Sequence, residues 1–331
     1  MTNGLARDAQ TVRISFIIPL FNCLPLTQAM LASLRATLPA GLTHEIIFVD
    51  DGSTDGTRAW LATLAHDPAI RVVLNDRNLG YAAANNRGAA EARGEILALL
   101  NNDLILLPRW LERMLAAHRT LGERAGLIGN IQLDAKTGAV DHTGLVVNIC
   151  GKPVHARARP GFVSRLLRPV RRAPAVTGAC VLVSRALWWH LGGFDEGYLN
   201  SGEDIDLCFR AAAAGRINAV AVRSVVRHHV SASPGRKARD EHNSFRLARR
   251  WRRELVAAAD DGFRTWCRDY LASLLPEPPA ADWRRAVWAL AFLTRVRVVP
   301  PPDAIAAVEA GLAREFAHWE RTLGPASRAG L

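Results

Sequence analysis

Apolar runs alternate with amphipathic stretches along the first hundred residues. Residues 12–22, VRISFIIPLFN, form an apolar run that ends in Pro19 and Asn22 and predicts the first strand. From about Pro25 to Leu38, Leu26, Met30, Leu31 and Leu34 recur at helical spacing. A strand at 45–49, a helix at about 57–66 and a short strand at 70–74 follow. Asn75 to Arg87 reads as a loop entering a helix, and Glu95 to Leu100 as a further strand. Strands and helices joined by short links predict βαβ units, an α/β class and a mostly parallel sheet flanked by helices. Later, Val181–Val183 predicts a strand, Asp204 to Ala214 a helix, and Val225 to His229 a short apolar run. Residues 252–275 and 303–322 read as helices, set apart by prolines at 276, 278 and 279 and at 300–302. The expected division is an α/β domain over 1–235 and a helical C-terminal extension over 236–331.

Composition removes several classes. No Gly-x-Gly-x-x-Gly follows the first strand, so a dinucleotide-binding reading loses its main support. The five cysteines, at 23, 150, 180, 208 and 267, have no paired spacing, which fits a reducing compartment and no zinc site. The first ten residues lack an apolar run, and the window Ala286–Leu293 is too short to span a bilayer. The expected location is the cytoplasm, with the inner face of the cytoplasmic membrane as a point of contact. The net charge of +11 comes largely from arginines at 157–172 and 236–253. Neither run carries a nucleic-acid motif or interleaved aromatic residues, so no nucleic-acid partner is expected. Anionic lipid headgroups, a phosphate-bearing substrate, or simply Arg-rich solvated faces account for the charge equally well.

Chemistry gathers where strands end. In IIFVDDGSTDG (46–56), Asp50 and Asp51 stand at the carboxyl end of a buried strand, where parallel sheets bind ligands. A carboxylate there suits a nucleobase N–H or a ribose hydroxyl, although Ser53, Thr54 or Asp55 also fits a helix cap. Asn101-Asn102-Asp103 closes the next strand, and a second acidic site, Glu203-Asp204-Ile205-Asp206, opens a helix. His228 and His229 end the last apolar run. Two carboxylate sites and a histidine can give a hard divalent cation one or two ligands and leave the rest to water and phosphate oxygens. Asp204 could otherwise cap its helix, and Glu203 or Asp206 could pair with Arg210.

Seven segments recur in a familiar order: SFIIPLFN, FVDDGSTDGT, NDRNLGYAAANNRG, LLNNDLIL, TGACVLVSR, GGFDEGYLNSGEDIDLCFR and HHVSAS. On these, residues from about Val12 to Trp251 resemble the family 2 glycosyltransferases of GT-A fold, and within them the bacterial rhamnosyltransferase-like branch. The resemblance implies an inverting transfer from a UDP-, dTDP- or GDP-linked sugar to a hydroxyl of a glycan or lipid-linked acceptor, with Mg2+ or Mn2+. It suits cell-surface polysaccharide, O-antigen or lipopolysaccharide assembly. By resemblance, Pro19 and Asn22 shape the first loop over the nucleotide, Asp51 reads the base and Asp50 helps it. Asn78, Gly80 and Asn85 line the nucleotide and sugar, and Asn102 stands on the donor side. Asp103 matches the last position of the DxD metal motif, and His228, with His229 as its rival, completes the metal site. Asp204 matches the catalytic base, with Gly178 and Glu203 supporting the acceptor side. Arg185 and Arg210 are expected to support the site through ion pairs.

Two departures matter. The DxD motif reads Asn-Asn-Asp, so only Asp103 ligates with a full charge. The Gln-x-x-Arg-Trp motif of processive relatives survives only as Arg250-Trp251, with Leu247 in place of the glutamine. A processive synthase is therefore disfavoured. The other readings are a sugar nucleotidyltransferase, whose Gly-rich phosphate loop is missing, and a catalytically weak or dead sugar-nucleotide-binding scaffold, for which the reduced DxD leaves room. In the tail, Trp283, Val287, Trp288, Leu290, Ala291 and Leu293, flanked by Arg284, Arg285, Arg295 and Arg297, form an amphipathic segment. Such a segment packs on the catalytic domain or lies in a membrane interface, packing being the commoner use.

Overall fold

The computed structural model describes residues 13–158, 161, 167–198, 201–229, 240–274 and 282–323. The expected domain boundary at 235/236, the proline break at 276–279 and parts of both arginine runs lie outside them. The first half follows the alternation read from the sequence: β1 (Ile14–Leu20), α1 (Leu24–Thr37), β2 (His44–Asp50), α2 (Thr57–Thr63), β3 (Ile70–Leu74), α3 (Tyr81–Glu91) and β4 (Ile96–Leu100). Then come β5 (Leu104–Leu106), α4 (Trp110–Leu121), β6 (Ala125–Asp134), β7 (Val140–His142), β8 (Leu145–Val147), β9 (Pro153–His155) and β10 (Val170–Arg172). β11 (Cys180–Ser184), α5 (Arg185–Leu191), α6 (Glu203–Ala213) and β12 (Ile217–His228) complete the sheet region. The C-terminal helices are α7 (Asp240–Arg250), α8 (Arg252–Ala257), α9 (Asp260–Ser273), α10 (Trp283–Leu293) and α11 (Pro302–Thr322).

The main sheet runs β10-β12-β6-β11-β4-β1-β2-β3. β3, β2, β1 and β4 are mutually parallel, as the short βαβ links require. β1 and β2 end level, Leu20 opposite Asp50, so both deliver their loops to one edge. β11 runs antiparallel beside β4 with Cys180 opposite Leu100, so β11 starts where β4 stops. β12 pairs in parallel with β6 and antiparallel with β5, where His228 faces Leu104. The ends of β1, β2, β4 and β12 and the start of β11 therefore share one edge.

Alternating side chains divide the core into two layers, as period-two strands must. Phe16, Ile18, Phe48, Trp110 and Met114 fill one. Ile17, Ile47, Val49, Trp188 and Leu207 fill the other. Each fully buried side chain of this size contributes about 1.5–3 kcal/mol. Gly88 lets α3 approach the sheet, because a Cβ there would sit 2.5 Å from Ile17 Cγ2. A third cluster joins Phe209 of α6 to Phe245, Leu255, Phe263, Phe292, Val308 and Trp319 of the C-terminal helices.

Three expectations need correcting. The short run at 225–229 is the end of a twelve-residue strand. Its register shifts between Ala221 and Val225, and polar Asn218 and Ser224 are buried inside it, which hid the period. Ser224 Oγ meets its need by donating to the Trp110 carbonyl at 2.8 Å. The helix expected over 252–275 breaks at Ala258–Ala259 into α8 and α9. Part of the second arginine run is a core helix, α7, which buries Phe245, Leu247 and Ala248. All five cysteines are free, as the spacing predicts, with Cys180, Cys208 and Cys267 buried. No helix among the described residues is long and apolar enough to cross a membrane.

Candidate active site

The first two loops at the shared edge hold each other. Asn22, with φ of 57°, turns its Oδ1 to accept from the Thr54 amide at 2.8 Å and the Asp55 amide at 3.3 Å, while its own amide donates to Ser53 Oγ at 2.8 Å. The Asp55 carboxylate accepts from the Thr57 hydroxyl at 2.5 Å, the Thr57 amide at 2.9 Å and the Leu24 amide at 3.2 Å, and these hydrogen bonds outweigh desolvation and hold it below the usual range. Pro19 lies half-buried in β1 opposite Val49. Gly52 has φ of 83°, and a Cβ there would come within 2.7 Å of the Arg77 carbonyl carbon and 2.8 Å of the Asn78 nitrogen. The DDG turn and the loop before α3 thus touch backbone to backbone, with Asn78 exposed.

Asp51 organises that contact. It accepts from Asn75 Nδ2 at 2.6 Å, the Leu79 amide at 2.9 Å and the Gly80 amide at 2.9 Å. Asp50 is fully buried, bound by Arg58 Nε at 2.7 Å, and its Oδ1 has no hydrogen-bond partner. Asn85, also fully buried, donates to the Tyr81 carbonyl at 2.8 Å and leaves Oδ1 unbonded.

From Gly80 the contacts run on to Asp204. The next residue, Tyr81, donates its hydroxyl to the Gly178 carbonyl at 2.9 Å, and the Gly178 amide donates to Asp204 Oδ2 at 2.8 Å. Asp204 Oδ1 accepts from the Ile205 amide at 2.8 Å. The helix N-cap is Gly202, and Asp204 follows in the first turn, where Oδ1 meets one amide of the helix start and Oδ2 faces the Gly178 amide. Glu203 beside it is buried at the start of α6.

Asp103 reaches the same edge from β4. The Asn101 amide donates to the Ala179 carbonyl at 2.9 Å, and Asn102 Nδ2 donates to Thr27 Oγ1 at 2.9 Å. His228 Nε2 stands 3.2 Å from Asp103 Oδ1, but neither that oxygen nor His228 Nδ1 makes a hydrogen bond. Both side chains are buried. The pair is thus a buried carboxylate beside an imidazole at ion-pair distance, two donors of the kind that suit a divalent cation. His228 is the last residue of β12 and is buried, whereas His229, just past the strand, is half-buried and donates its amide to the Asp103 carbonyl at 3.0 Å. No group of three or more His, Cys, Asp or Glu among the described residues could hold a metal, so Asp103 and His228 alone would supply only part of a cation's ligands.

Several supports were not visible in the sequence. Arg58 follows Asp50 by eight residues and Asn75 follows Asp51 by twenty-four, each in a different element from its partner, so no local period joins them. Asp206, fully buried, accepts from Arg210 Nε at 2.8 Å, Trp251 Nε1 at 2.8 Å and Arg250 Nη1 at 3.1 Å. Arg250 and Arg246 both bind Asp195 at 3.0 Å, so α7 clamps the segment that leads to Asp204. The Gly197 amide and these arginines overcome burial and depress the Asp195 carboxyl. The Asp206–Arg210 pairing follows the sequence expectation, whereas Arg185 has no ion pair among the described residues. Beside His228, Asp141, His142 and His155 form a second polar group, with His142 fully buried and both ring nitrogens unbonded.

The model of "Glycosyl transferase family 2" matches residues 15–192, which carry β1 through α5. The chain belongs to glycosyltransferase family 2. Within that family it is 33% identical to uncharacterized protein y4gI of Sinorhizobium fredii, over 73% of this chain and 28% of that protein. It is 31% identical to O-antigen biosynthesis protein RfbC of Myxococcus xanthus, over 67% of this chain and 18% of the relative. The chain thus spans less than a third of either relative. The N-acetylglucosaminyl-diphospho-decaprenol L-rhamnosyltransferase of Mycobacterium tuberculosis is 28% identical over 64% of this chain and 74% of its own length. Among solved structures, GalNAc-T7 with UDP, GalNAc and Mn2+ superposes with a TM-score of 0.60 at 16% identity, over 96% of this chain and 57% of that one. S. aureus TarS 1-349 superposes with a TM-score of 0.56 at 14% identity, over 96% and 92%. These two likenesses show the GT-A fold of this family 2 chain.

Proposed function

We propose that this chain transfers a sugar from a nucleotide-diphosphate donor to a hydroxyl of a glycan or lipid-linked acceptor, with inversion, in the assembly of a cell-surface polysaccharide or O-antigen. The observation that carries it is the buried Asp103–His228 pair on the edge that also bears Asp204. Asp51, engaged by three internal donors, holds the loop around Asn78 and Gly80 that lines the donor pocket. Pro19, Asn22 and Asn102 complete that lining, with Asp50 and Asn85 beneath it.

Asp103 and His228 would hold Mg2+ or Mn2+, with water and diphosphate oxygens filling the remaining positions. Held there, such an ion would neutralise the charge that develops on the departing nucleoside diphosphate. Asp204, aimed by the Gly178 amide, accepts the proton of the acceptor hydroxyl as that oxygen attacks C1 of the sugar from the face opposite the leaving group. The new C–O bond forms as the C1–O–P bond breaks, so one displacement inverts the anomeric centre. The names of the relatives, one an O-antigen biosynthesis protein and one a rhamnosyltransferase of a decaprenol-linked acceptor, support the acceptor class.

The test presents UDP-, dTDP- and GDP-sugars with Mg2+ or Mn2+ and records which nucleoside diphosphate is released. Release from one donor, abolished by chelator and by Asp103→Ala, is the expected result. Tight donor binding without release under every condition would favour the scaffold reading.

A further inference from the structure

α10 is apolar on two sides. Ala289 and Phe292 are buried in the C-terminal helical cluster. Trp283, Val287 and Leu290, at i, i+4 and i+7, form a second stripe in which each is more than half exposed. The chain that follows extends it, with Val296 81%, Val298 86% and Val299 59% exposed. This segment is pinned to the helix. Trp288 Nε1 donates to the Val299 carbonyl at 3.2 Å, the Arg297 amide donates to the Ala291 carbonyl at 3.0 Å, and the Arg297 guanidinium lies 4.8 Å from the Trp288 ring centroid. Arg297 is therefore turned back on α10 while Val296 and Val298 project. Six large apolar side chains exposed on one helix–loop unit are more than a solvated surface ordinarily carries.

Cations accompany them. Arg284 lies 5.6 Å from the Trp283 ring centroid, and Arg295 is exposed just past the helix end. Arg285 is committed to Asp303 at 2.7 Å, whereas Arg284 and Arg295 have no ion-pair partner among the described residues. We propose that this unit docks on an anionic phospholipid surface, with Trp283, Val287, Leu290, Val296 and Val298 entering the headgroup region and Arg284 and Arg295 on lipid phosphates. Exposed Trp and branched aliphatics bordered by arginine are the composition that bilayer interfaces hold. A net charge of +11 adds long-range attraction to anionic lipid. A second copy of the chain is a poorer occupant, because a two-fold interface would gather both copies of Arg284 and Arg295 into one contact area, whereas anionic lipid supplies the opposite charge. Docking requires neither donor nor acceptor, so it stands or falls apart from the transfer reaction.

The experiment is co-sedimentation of the full chain with phosphatidylcholine vesicles, plain or containing about one third phosphatidylglycerol. The expected result is binding to the anionic vesicles alone, weakened by salt. Trp283→Ser/Leu290→Ser/Val298→Ser should weaken it about tenfold or more, and Arg284→Gln/Arg295→Gln about fivefold per arginine. Circular dichroism and the thermal midpoint check the fold, and Val298→Asp alone gives a second reading if the triple variant is damaged. Unchanged binding in all three variants, or no binding to either vesicle, overturns the proposal. Concentration-dependent dimers that the triple variant dissolves, without vesicle binding, would assign the surface to a second copy instead.

Discussion

The Gly178 amide points at Asp204 Oδ2 across 2.8 Å, and this contact ties the start of β11 to the first turn of α6. It fixes the carboxylate's direction independently of any ligand. Asp204→Asn keeps the shape and the Gly178 contact but removes the proton acceptor. We expect nucleotide binding to survive and turnover to fall about 100-fold or more, read by isothermal titration beside nucleoside diphosphate release. Near-normal turnover in that variant would take the base role away from Asp204.

His228→Ala and His229→Ala separate the two histidines. The first removes the side chain that stands 3.2 Å from Asp103 and should raise the metal concentration for half-maximal turnover about tenfold or more. The second leaves the amide that binds the Asp103 carbonyl and should change it by less than about twofold. Metal titrations of turnover give both numbers, and the reverse order would reassign the ligand.

Tyr81→Phe removes one hydroxyl that joins the donor-side helix to the acceptor-side strand. Loss of a neutral hydrogen bond of this kind costs about 1 kcal/mol, read as a shift in urea midpoint. Turnover should drop about threefold to tenfold with donor affinity nearly unchanged, because Gly178 positions Asp204 rather than the nucleotide.

His142 should make the fold acid-sensitive. Burial, helped by the nearby positive charge of His155, Arg171 and His228 and opposed by Asp141, pushes this imidazole down to about 3. The unfolded chain binds the proton near the ordinary value of 6.5 and the native chain does not. Stability is therefore full above that value and declines as pH falls toward about 3, by up to about 1.4 kcal/mol per pH unit. Urea unfolding at stepped pH should show this slope, and His142→Phe should flatten it.

The parallel half of the sheet was legible because each strand there is a short apolar run closed by a turn residue, and each helix carries a clean period. β12 was not, because a bulge and buried Asn218 and Ser224 break its alternation. The ordered motifs singled out Asp51, Asp103, Asp204, Gly80 and Gly178, but not the Tyr81 hydroxyl, which completes the run of bonds from Asp51 to Asp204. The α7 arginines read as compositional habit. Their partners, Asp195 and Asp206, lie some fifty residues back along the chain, where no local period can announce them.

The reversed direction of β11 has a mechanical consequence. Ile14 to Asp103 is knit by parallel pairing, and β11 joins it along an antiparallel seam on β4, with the Tyr81–Gly178 and His229–Asp103 bonds as further ties. Asp51 and Asp103 lie on one side of that seam and Asp204 on the other, while His228 returns across it to stand beside Asp103. Under the proposed reaction, the loops between Gly178 and His228 that touch neither His228 nor Asp204 are the ones to exchange for a new acceptor, with the seam and the Tyr81 tether kept in place.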